Sequence, residues 1–427
     1  MVFPISSIVK REMGVMITAG MLMLSALLFP FSVAATNIAL ALTLAVGLLS
    51  GVWWQGAKQC WKHYRSLTII VCVYIGILLA GLLWSLDIRW GMHVVGRSWF
   101  WLLIPVVVCI TAEQKWRKIF LLSLSLGLSL NLLYCLLQVF GYVEVTTDGS
   151  GIADATGHIG HIGFGFVYGV WAAWLLNLGL TCVGWRRLLA WGGAAWSYVM
   201  VFSAQGRSGY LICIVLILCV CLKRLFDSRN WRTVLLTAGV FMLIGLVVAA
   251  GPGRARLTGT WLAFTQTQSQ QGLNALDSSD NAVLATDERF QMWKTSLDIW
   301  RLFPVLGVGT GGLPEAAATL REQKRSPAHF RFVQPHNQYL LVLIRWGPVG
   351  LLALLALWYA WMREGLKVDW SHSVSAPLFT LSGLALVVHG LSSSSMEEHF
   401  SAILAVLLLG VAISHKKHTN QKSSNGT

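Results

Sequence analysis

Long apolar runs dominate this chain of 427 residues. A helix crosses about 30 Å of membrane hydrocarbon with about 20 apolar residues, because each residue adds about 1.5 Å. The sequence predicts twelve membrane-spanning helices, at 14–35, 37–57, 66–86, 95–112, 119–141, 161–182, 188–204, 209–224, 233–251, 337–361, 374–391 and 399–414. We therefore expect an all-α polytopic membrane protein. Only 12% of the residues are charged, against roughly 25% in soluble domains, which agrees with this class.

The basic residues of the short loops predict how the chain is inserted. Short loops that remain in the cytoplasm are enriched in Lys and Arg. With a cytoplasmic N-terminus, most of the 32 Lys and Arg residues fall on the cytoplasmic side, and the short outer loops hold only Arg89, Arg97 and Arg207. We therefore expect both termini to be cytoplasmic.

This topology divides the chain into four parts. They are nine membrane helices with short loops (1–251), one large outer loop (252–336), three more membrane helices (337–414) and a cytoplasmic tail (415–427). None of the eight cysteines lies in the outer loop, so we expect no disulfide there.

The outer loop contains two predicted helices. In the stretch "TDERFQMWKTSLDIWRLFP", apolar side chains recur at the helical spacing of three and four residues. They are Phe290, Trp293, Leu297 and Trp300. Thr286 is a suitable N-cap, and Pro304 should end this helix. The glycine run "GVGTGG" follows, and "LPEAAATLREQKR" predicts a second helix, with a proline in its first turn.

Two outer arginines are candidates for binding an anion. Arg207 lies in the short turn "SAQGRSGY", and an arginine close to the membrane core is costly and often functional. Arg289 lies near the start of the first loop helix, where a cation opposes the helix dipole. The alternatives are an Arg207 side chain that extends to lipid headgroups and an Arg289 on a solvated helix face.

His336 stands in "QPHNQYL", directly before a membrane helix. Histidine titrates near neutral pH, so a neutral imidazole here can take a proton from an attacking hydroxyl. Asn337 can supply a neighbouring hydrogen bond. The alternative is an interfacial histidine bonded to a loop carbonyl.

Further polar groups on the outer side give weaker signals. The run "GVGTGG" can present backbone amides to a phosphate, although it lacks the lysine of a nucleotide-binding P-loop. His158 and His161 are three residues apart, yet no third ligand lies nearby, so we expect no metal and a structural or substrate-contact role. Glu397 and Glu398 either face a basic site or belong to a solvated loop end.

In these motifs the chain resembles the O-antigen ligase family, within a superfamily that also holds O-antigen polymerases and protein O-oligosaccharyltransferases. The resemblance is carried by "SAQGRSG", by "ERFQMWKTSLDIWRLFPVLGVGTGG", by "PHNQYL" and by the many-span topology with one large outer loop. Residue by residue, Arg207, Arg289 and His336 match the family's two arginines and its histidine, and Gly307, Gly309 and Gly311 match its glycine run.

The resemblance implies a membrane glycosyltransferase of the GT-C kind in the bacterial inner membrane, with its active site facing the periplasm. It would transfer a glycan from undecaprenyl diphosphate to the lipid A–core oligosaccharide, without metal, cofactor or nucleotide sugar. By this reading His336, Arg207 and Arg289 are catalytic. Arg207, Arg289, Gly309, Gly311, Asn337, Arg97 and His161 bind substrate. Phosphates on the acceptor also account for the basic outer loop, so no nucleic-acid partner is expected despite the net charge of +14.

The expected chemistry fits these residue types. Two guanidinium groups can neutralise a departing diphosphate, and one imidazole can activate a sugar hydroxyl. Direct attack would invert the anomeric centre, whereas a double displacement needs a carboxylate nucleophile. The alternatives are a polymerase or protein-glycosylating enzyme of the same superfamily, a lipid-linked glycan transporter, and a membrane scaffold. A transporter should show paired broken helices or inverted repeats, which the sequence does not indicate.

Overall fold

The structure is a computed structural model that describes residues 5–145, 155–204, 206–228, 235, 239, 281–323, 332, 334–370 and 373–414. The side chains of residues 5–11, 207, 228 and 281–288 are not among those described. All regular secondary structure in these ranges is helical, which confirms the all-α fold class.

The described helices occur in a fixed order along the chain. They are α1 (Ile5–Leu28), α2 (Val33–Leu49), α3 (Val52–His63), α4 (Arg65–Ala80), α5 (Ile88–Arg97), a 3₁₀ helix (Trp99–Leu102), α6 (Leu103–Thr111), α7 (Gln114–Val139), α8 (His161–Thr181), α9 (Trp185–Ser203), α10 (Arg207–Ser228), α11 (Asn281–Leu302), α12 (Leu313–Glu322), α13 (Gln338–Leu366), α14 (Ala376–His389) and α15 (His399–Ile413).

The predicted count of twelve membrane spans is not confirmed. Among the described residues, four helices (α7, α8, α10 and α13) are long and apolar enough to cross a membrane, or up to six spans if each bent helix pair counts as one. Apolar stretches in α1, α4, α14 and α15 are shorter. The predicted span at 233–251 lies outside the described residues, apart from residues 235 and 239.

Two bent helix pairs were not anticipated from the sequence. Helices α2 and α3 meet at 85°, and α5 meets the 3₁₀–α6 segment at 41°. Gly51, the N-cap of α3, has a φ of 80°, a conformation that favours glycine and turns the chain sharply after α2. Both of these breaks lie in the first third of the chain, and a further kink interrupts α13 at Gly347.

The centre of the bundle is formed by α8, α14 and α15. Every residue of α15 from Phe400 to Ile413 is buried, whereas α7 and α10 each expose apolar side chains on one side. Small residues allow close packing here. A Cβ at Gly165 of α8 would lie 2.4 Å from the Cα of Gly209 in α10, so the two backbones touch.

The two loop helices have a small apolar core of their own. It contains Ile299 from α11, Leu313 and Leu320 from α12, and Leu341 and Ile344 from α13. This core anchors the outer loop to the start of α13, and so fixes the position of α11 relative to residue 336.

Helix α11 differs in detail from its prediction. It ends at Leu302, just before Pro304, as predicted, but it begins at Asn281, so Thr286 lies inside it rather than at its N-cap. The face that packs inward carries Ser296 and Ile299, both 0% exposed, whereas Leu297 of the predicted stripe is 37% exposed.

Candidate active site

His336 adopts a backbone conformation that is unusual for a residue with a side chain. Its φ is 46°, and it is the one non-glycine residue with positive φ in the described part of the chain. Two neighbours hold it there. The Trp293 indole donates to the Pro335 carbonyl at 3.1 Å, and the Asn337 amide oxygen caps α13 by accepting from the Tyr339 and Leu340 amides at 3.0 Å. Strain of this kind persists where the surroundings over-determine it, often at functional sites.

Arg289 and His336 are electrostatically coupled. Both side chains are half-buried, one on α11 and the other before α13. Burial lowers the pKa of His336 below its usual 6.5, and the positive charge of Arg289 lowers it further. The imidazole is therefore neutral at physiological pH and able to accept a proton.

The charge of the same arginine also acts on a carboxylate. Glu398, directly before α15, has its pKa raised by burial, while hydrogen bonds from serines and the charge of Arg289 act in the opposite direction. The Ser393 hydroxyl donates to one of its oxygens. The other oxygen lies 3.8 Å from Nε2 of His389, the last residue of α14.

The turn between α14 and α15 buries polar atoms that lack partners among the described residues. The atoms without a hydrogen-bond partner are both ring nitrogens of His389, one oxygen of Glu398, the hydroxyls of Ser394 and Ser395, and Nε2 of His399 at the start of α15. Buried polar groups are normally paired, because leaving one unpaired costs about 1–3 kcal/mol. Sequence reasoning missed His389 and these serines. The run of four serines before "MEEH" was the only signal that could have found them.

Glu397 belongs to a separate ion pair. Its carboxylate accepts from the guanidinium of Arg345 in α13, a residue only 5% exposed that the sequence did not single out. Arg97, expected to bind substrate, is exposed and donates to the Glu397 backbone carbonyl at 3.0 Å. Helix α13 is tied to the same turn, because the Met396 amide donates to the Gln338 side chain at 3.0 Å.

Backbone amides of the glycine run donate to carbonyls that a break in α13 leaves without helical donors. Pro348 has no N–H, and Gly347 leaves the helical conformation with φ 64°, so carbonyls one turn earlier lose their helical donors. The Val308 amide donates to Ile344 O and the Gly309 amide to Arg345 O, both at 2.9 Å.

Gly311 is the other glycine of this run that was expected to bind phosphate. Its amide donates to the Ser85 hydroxyl at 2.8 Å. The amides of Gly309 and Gly311, expected to cradle a phosphate, are thus engaged within the protein. A Cβ at Gly307 would lie 2.3 Å from Ile344 O. The two backbones approach so closely here that position 307 requires glycine.

The other predicted site residues lie along a neighbouring edge. Arg207 is the first residue of α10, but its side chain lies outside those described. The preceding Gly206 packs on the start of α8, where a Cβ would lie 2.5 Å from the His161 carbonyl. His161 is exposed, and His158 stacks on Tyr134 with a centroid separation of 5.2 Å. The structure brings together Arg289, His336, Glu398 and His389, and Arg97 contacts the same turn through its bond to the Glu397 carbonyl.

The fold and these groups define a class. The chain is a helical membrane protein in which a neutral histidine, an arginine and a largely buried glutamate converge where a helical loop meets the ends of α13–α15. Residues 192–355 match the family model described as O-antigen ligase. This match supports the O-antigen ligase family and so confirms the resemblance carried by the motifs, since the matched region includes Arg207, Arg289, the glycine run and His336.

Members of this family are glycosyltransferase-like enzymes, and the family implies lipid-linked glycan and lipid-related substrates in general terms. No curated protein matches the chain significantly.

Proposed function

We propose that the protein is an O-antigen ligase. It transfers a glycan from undecaprenyl diphosphate to the lipid A–core oligosaccharide at the periplasmic face of the inner membrane. The observation that carries this proposal is the coupling of Arg289 to a neutral His336, in the region that matches the family. One group suits a diphosphate and the other suits a hydroxyl.

Arg289 is placed to stabilise the leaving group. Its guanidinium is half-buried, and the charged residue that acts on it is Glu398, which lies at the turn before α15. A planar guanidinium binds phosphate oxygens through two parallel hydrogen bonds, and such bonds strengthen as negative charge develops on the diphosphate. We assign Arg207 the same task from its place in the family motif.

His336 is the proposed base. Its ring nitrogen takes the proton of the acceptor hydroxyl while the hydroxyl oxygen bonds to the anomeric carbon. The bond from that carbon to the diphosphate oxygen breaks, and its electron pair leaves with undecaprenyl diphosphate. This single displacement inverts the anomeric configuration. No step needs a metal or a nucleotide, so we expect transfer to persist in EDTA.

Glu398 allows an alternative mechanism, which would give a product with a different anomeric configuration. As a nucleophile it would form a glycosyl-enzyme, and a second displacement would retain the anomeric configuration. Its bond from Ser393 and its proximity to His389 favour a role in holding the charge balance of the site. Determination of the anomeric configuration of the product by NMR separates the two mechanisms.

The direct test is reconstitution with purified protein, lipid-linked glycan and lipid A–core. His336→Ala and His336→Gln should both abolish transfer yet retain binding of the lipid-linked glycan. His93→Gln is the matched control, because His93 is an exposed histidine whose ring lies 5.1 Å from the Trp90 ring. Wild-type transfer by His336→Gln would remove the base role, because glutamine keeps hydrogen bonding but cannot accept the proton.

Deletion of the gene separates a ligase from a polymerase of the same superfamily. Loss of a ligase leaves bare core and accumulated lipid-linked glycan, whereas loss of a polymerase leaves core capped by one repeat unit.

The proposed topology places the loop 252–336 in the periplasm, with the tail 415–427 in the cytoplasm. It has its own test, since Ser279→Cys should be labelled from outside intact spheroplasts and Ser424→Cys should not.

A further inference from the structure

A cavity lies at the opposite end of the bundle from the candidate active site. Helix α13 begins beside His336 and ends at Leu366, and α14 returns from Ala376 to His389. The cavity lies where α13 gives way to α14, and it is bounded also by the start of α7, the end of α8 and the start of α9. Its volume is about 750 Å³.

The lining of this cavity is amphiphilic. Its charged residues are all cationic, namely Arg117, Lys118 and Arg186, with no Asp or Glu among the lining residues that the structure describes. Its apolar wall includes Leu122, which is 68% exposed, and Trp185, which is 67% exposed. In a membrane protein such an exposed apolar wall faces lipid, so the cavity opens toward acyl chains.

The buried side chain of Arg117 indicates that the cavity binds an anion. This side chain is only 7% exposed, and one terminal nitrogen has no hydrogen-bond partner within the part of the chain that the structure describes. The nearby Asn177 side-chain oxygen already accepts from Arg224, at 2.9 and 2.7 Å. A buried arginine with an unpaired donor is costly unless an anion completes it.

We propose that this cavity binds an anionic glycerophospholipid. The headgroup phosphate accepts from Arg117, Lys118 and Arg186, and an acyl chain lies along Leu122. Basic pockets between membrane helices on the cytoplasmic side suit such headgroups, and the predicted orientation puts this end in the cytoplasm. A free phosphate shares the headgroup chemistry but makes no use of the exposed apolar wall. The site is thus separate from the proposed glycan transfer at the other face.

The test compares lipids on the full-length protein. In detergent, phosphatidylglycerol should be retained in native mass spectra and raise the melting temperature. Phosphatidylcholine and inorganic phosphate should do neither. Arg117→Gln should weaken the apparent affinity for phosphatidylglycerol at least about tenfold, because a hydrogen bond to a charged group typically contributes that much.

Lys115→Gln is the matched control. Lys115 is two residues from Arg117 on α7, yet its ammonium group lies over the Trp116 ring at 5.0 Å and does not line the cavity. It should retain wild-type lipid affinity. Should Arg117→Gln fail to fold, the double change Lys118→Gln and Arg186→Gln alters two exposed lining residues and should weaken binding similarly.

Equal retention of phosphatidylcholine, an equal effect of inorganic phosphate, or unchanged affinity in folded Arg117→Gln or in the double variant would overturn the proposal. None of these outcomes depends on glycan transfer, so the proposal fails or survives independently of the proposed function.

Discussion

Replacement of Gly311 by alanine separates two roles for the glycine run. A Cβ on Gly311 would lie 2.0 Å from the Asp87 carbonyl oxygen and 2.1 Å from the Gly91 amide nitrogen. Both atoms belong to backbone, so neither can rotate away. If the run packs α5 and the preceding turn against the loop, Gly311→Ala should destabilise the protein. If it cradles phosphate, the change should weaken substrate binding instead.

The expected cost can be estimated from these distances. One added methyl group in a packed interior typically costs about 1–3 kcal/mol, and a clash with backbone on two sides belongs at the upper end of that range. A loss of this size should lower the apparent melting temperature by at least a few degrees.

The assay is thermal unfolding in detergent, followed by fluorescence-detected size-exclusion chromatography, with KM for lipid-linked glycan measured on the folded fraction. Gly96→Ala is the matched control. Gly96 lies in α5, its Cβ would meet nothing within 4 Å, and alanine is the better helix former there. A Gly311→Ala variant that melts like wild type but shows a raised KM would refute the packing argument and restore the phosphate cradle.

Three further outcomes are expected. Because the pKa of His336 lies below 6.5, the transfer rate should hold down to about that pH and fall only under more acidic conditions, as the imidazole becomes protonated; a rate that falls already above pH 6.5 would contradict this. Arg289→Ala and Arg207→Ala should each lower transfer by about 10²–10³ with normal membrane insertion, and lysine should rescue little; near-normal transfer in both alanine variants would exclude them from the site. Arg345→Ala should destabilise the protein by about 3–5 kcal/mol, because it leaves the Glu397 carboxylate unpaired, and replacing both partners by methionine should recover much of that loss; a wild-type melting temperature for Arg345→Ala would show that the pair contributes little.

The class of protein follows from the sequence because it depends on local properties. The length and apolarity of a run determine whether a helix can lie in a membrane, and proline determines where one must stop. Thus α7, α8, α10 and α13, which are long and apolar enough to cross a membrane, each overlap a predicted span, and α11 ends before Pro304. The match to the O-antigen ligase family model is local in the same sense, because it covers consecutive motifs between residues 192 and 355.

The sequence could not predict which face of α11 packs inward. Periodicity identified one stripe, which includes Leu297, but Ser296 and Ile299 form the buried face. Both faces of this helix carry apolar side chains, so the position of its partner helices decides which one packs.

The partners of the site were fixed only by tertiary structure. The glycine run resembled a phosphate cradle because its amides have no local partners in sequence, yet the break at Pro348 supplies acceptors far along the chain. Glu398 was one of two adjacent acidic residues with no sign of which faced a cation, until the turn after α14 directed Glu397 to Arg345 and placed Glu398 near Arg289. Charge and hydrogen-bonding interactions act over a few ångströms in space, and the sequence gives no measure of which distant residues the fold will bring within that range.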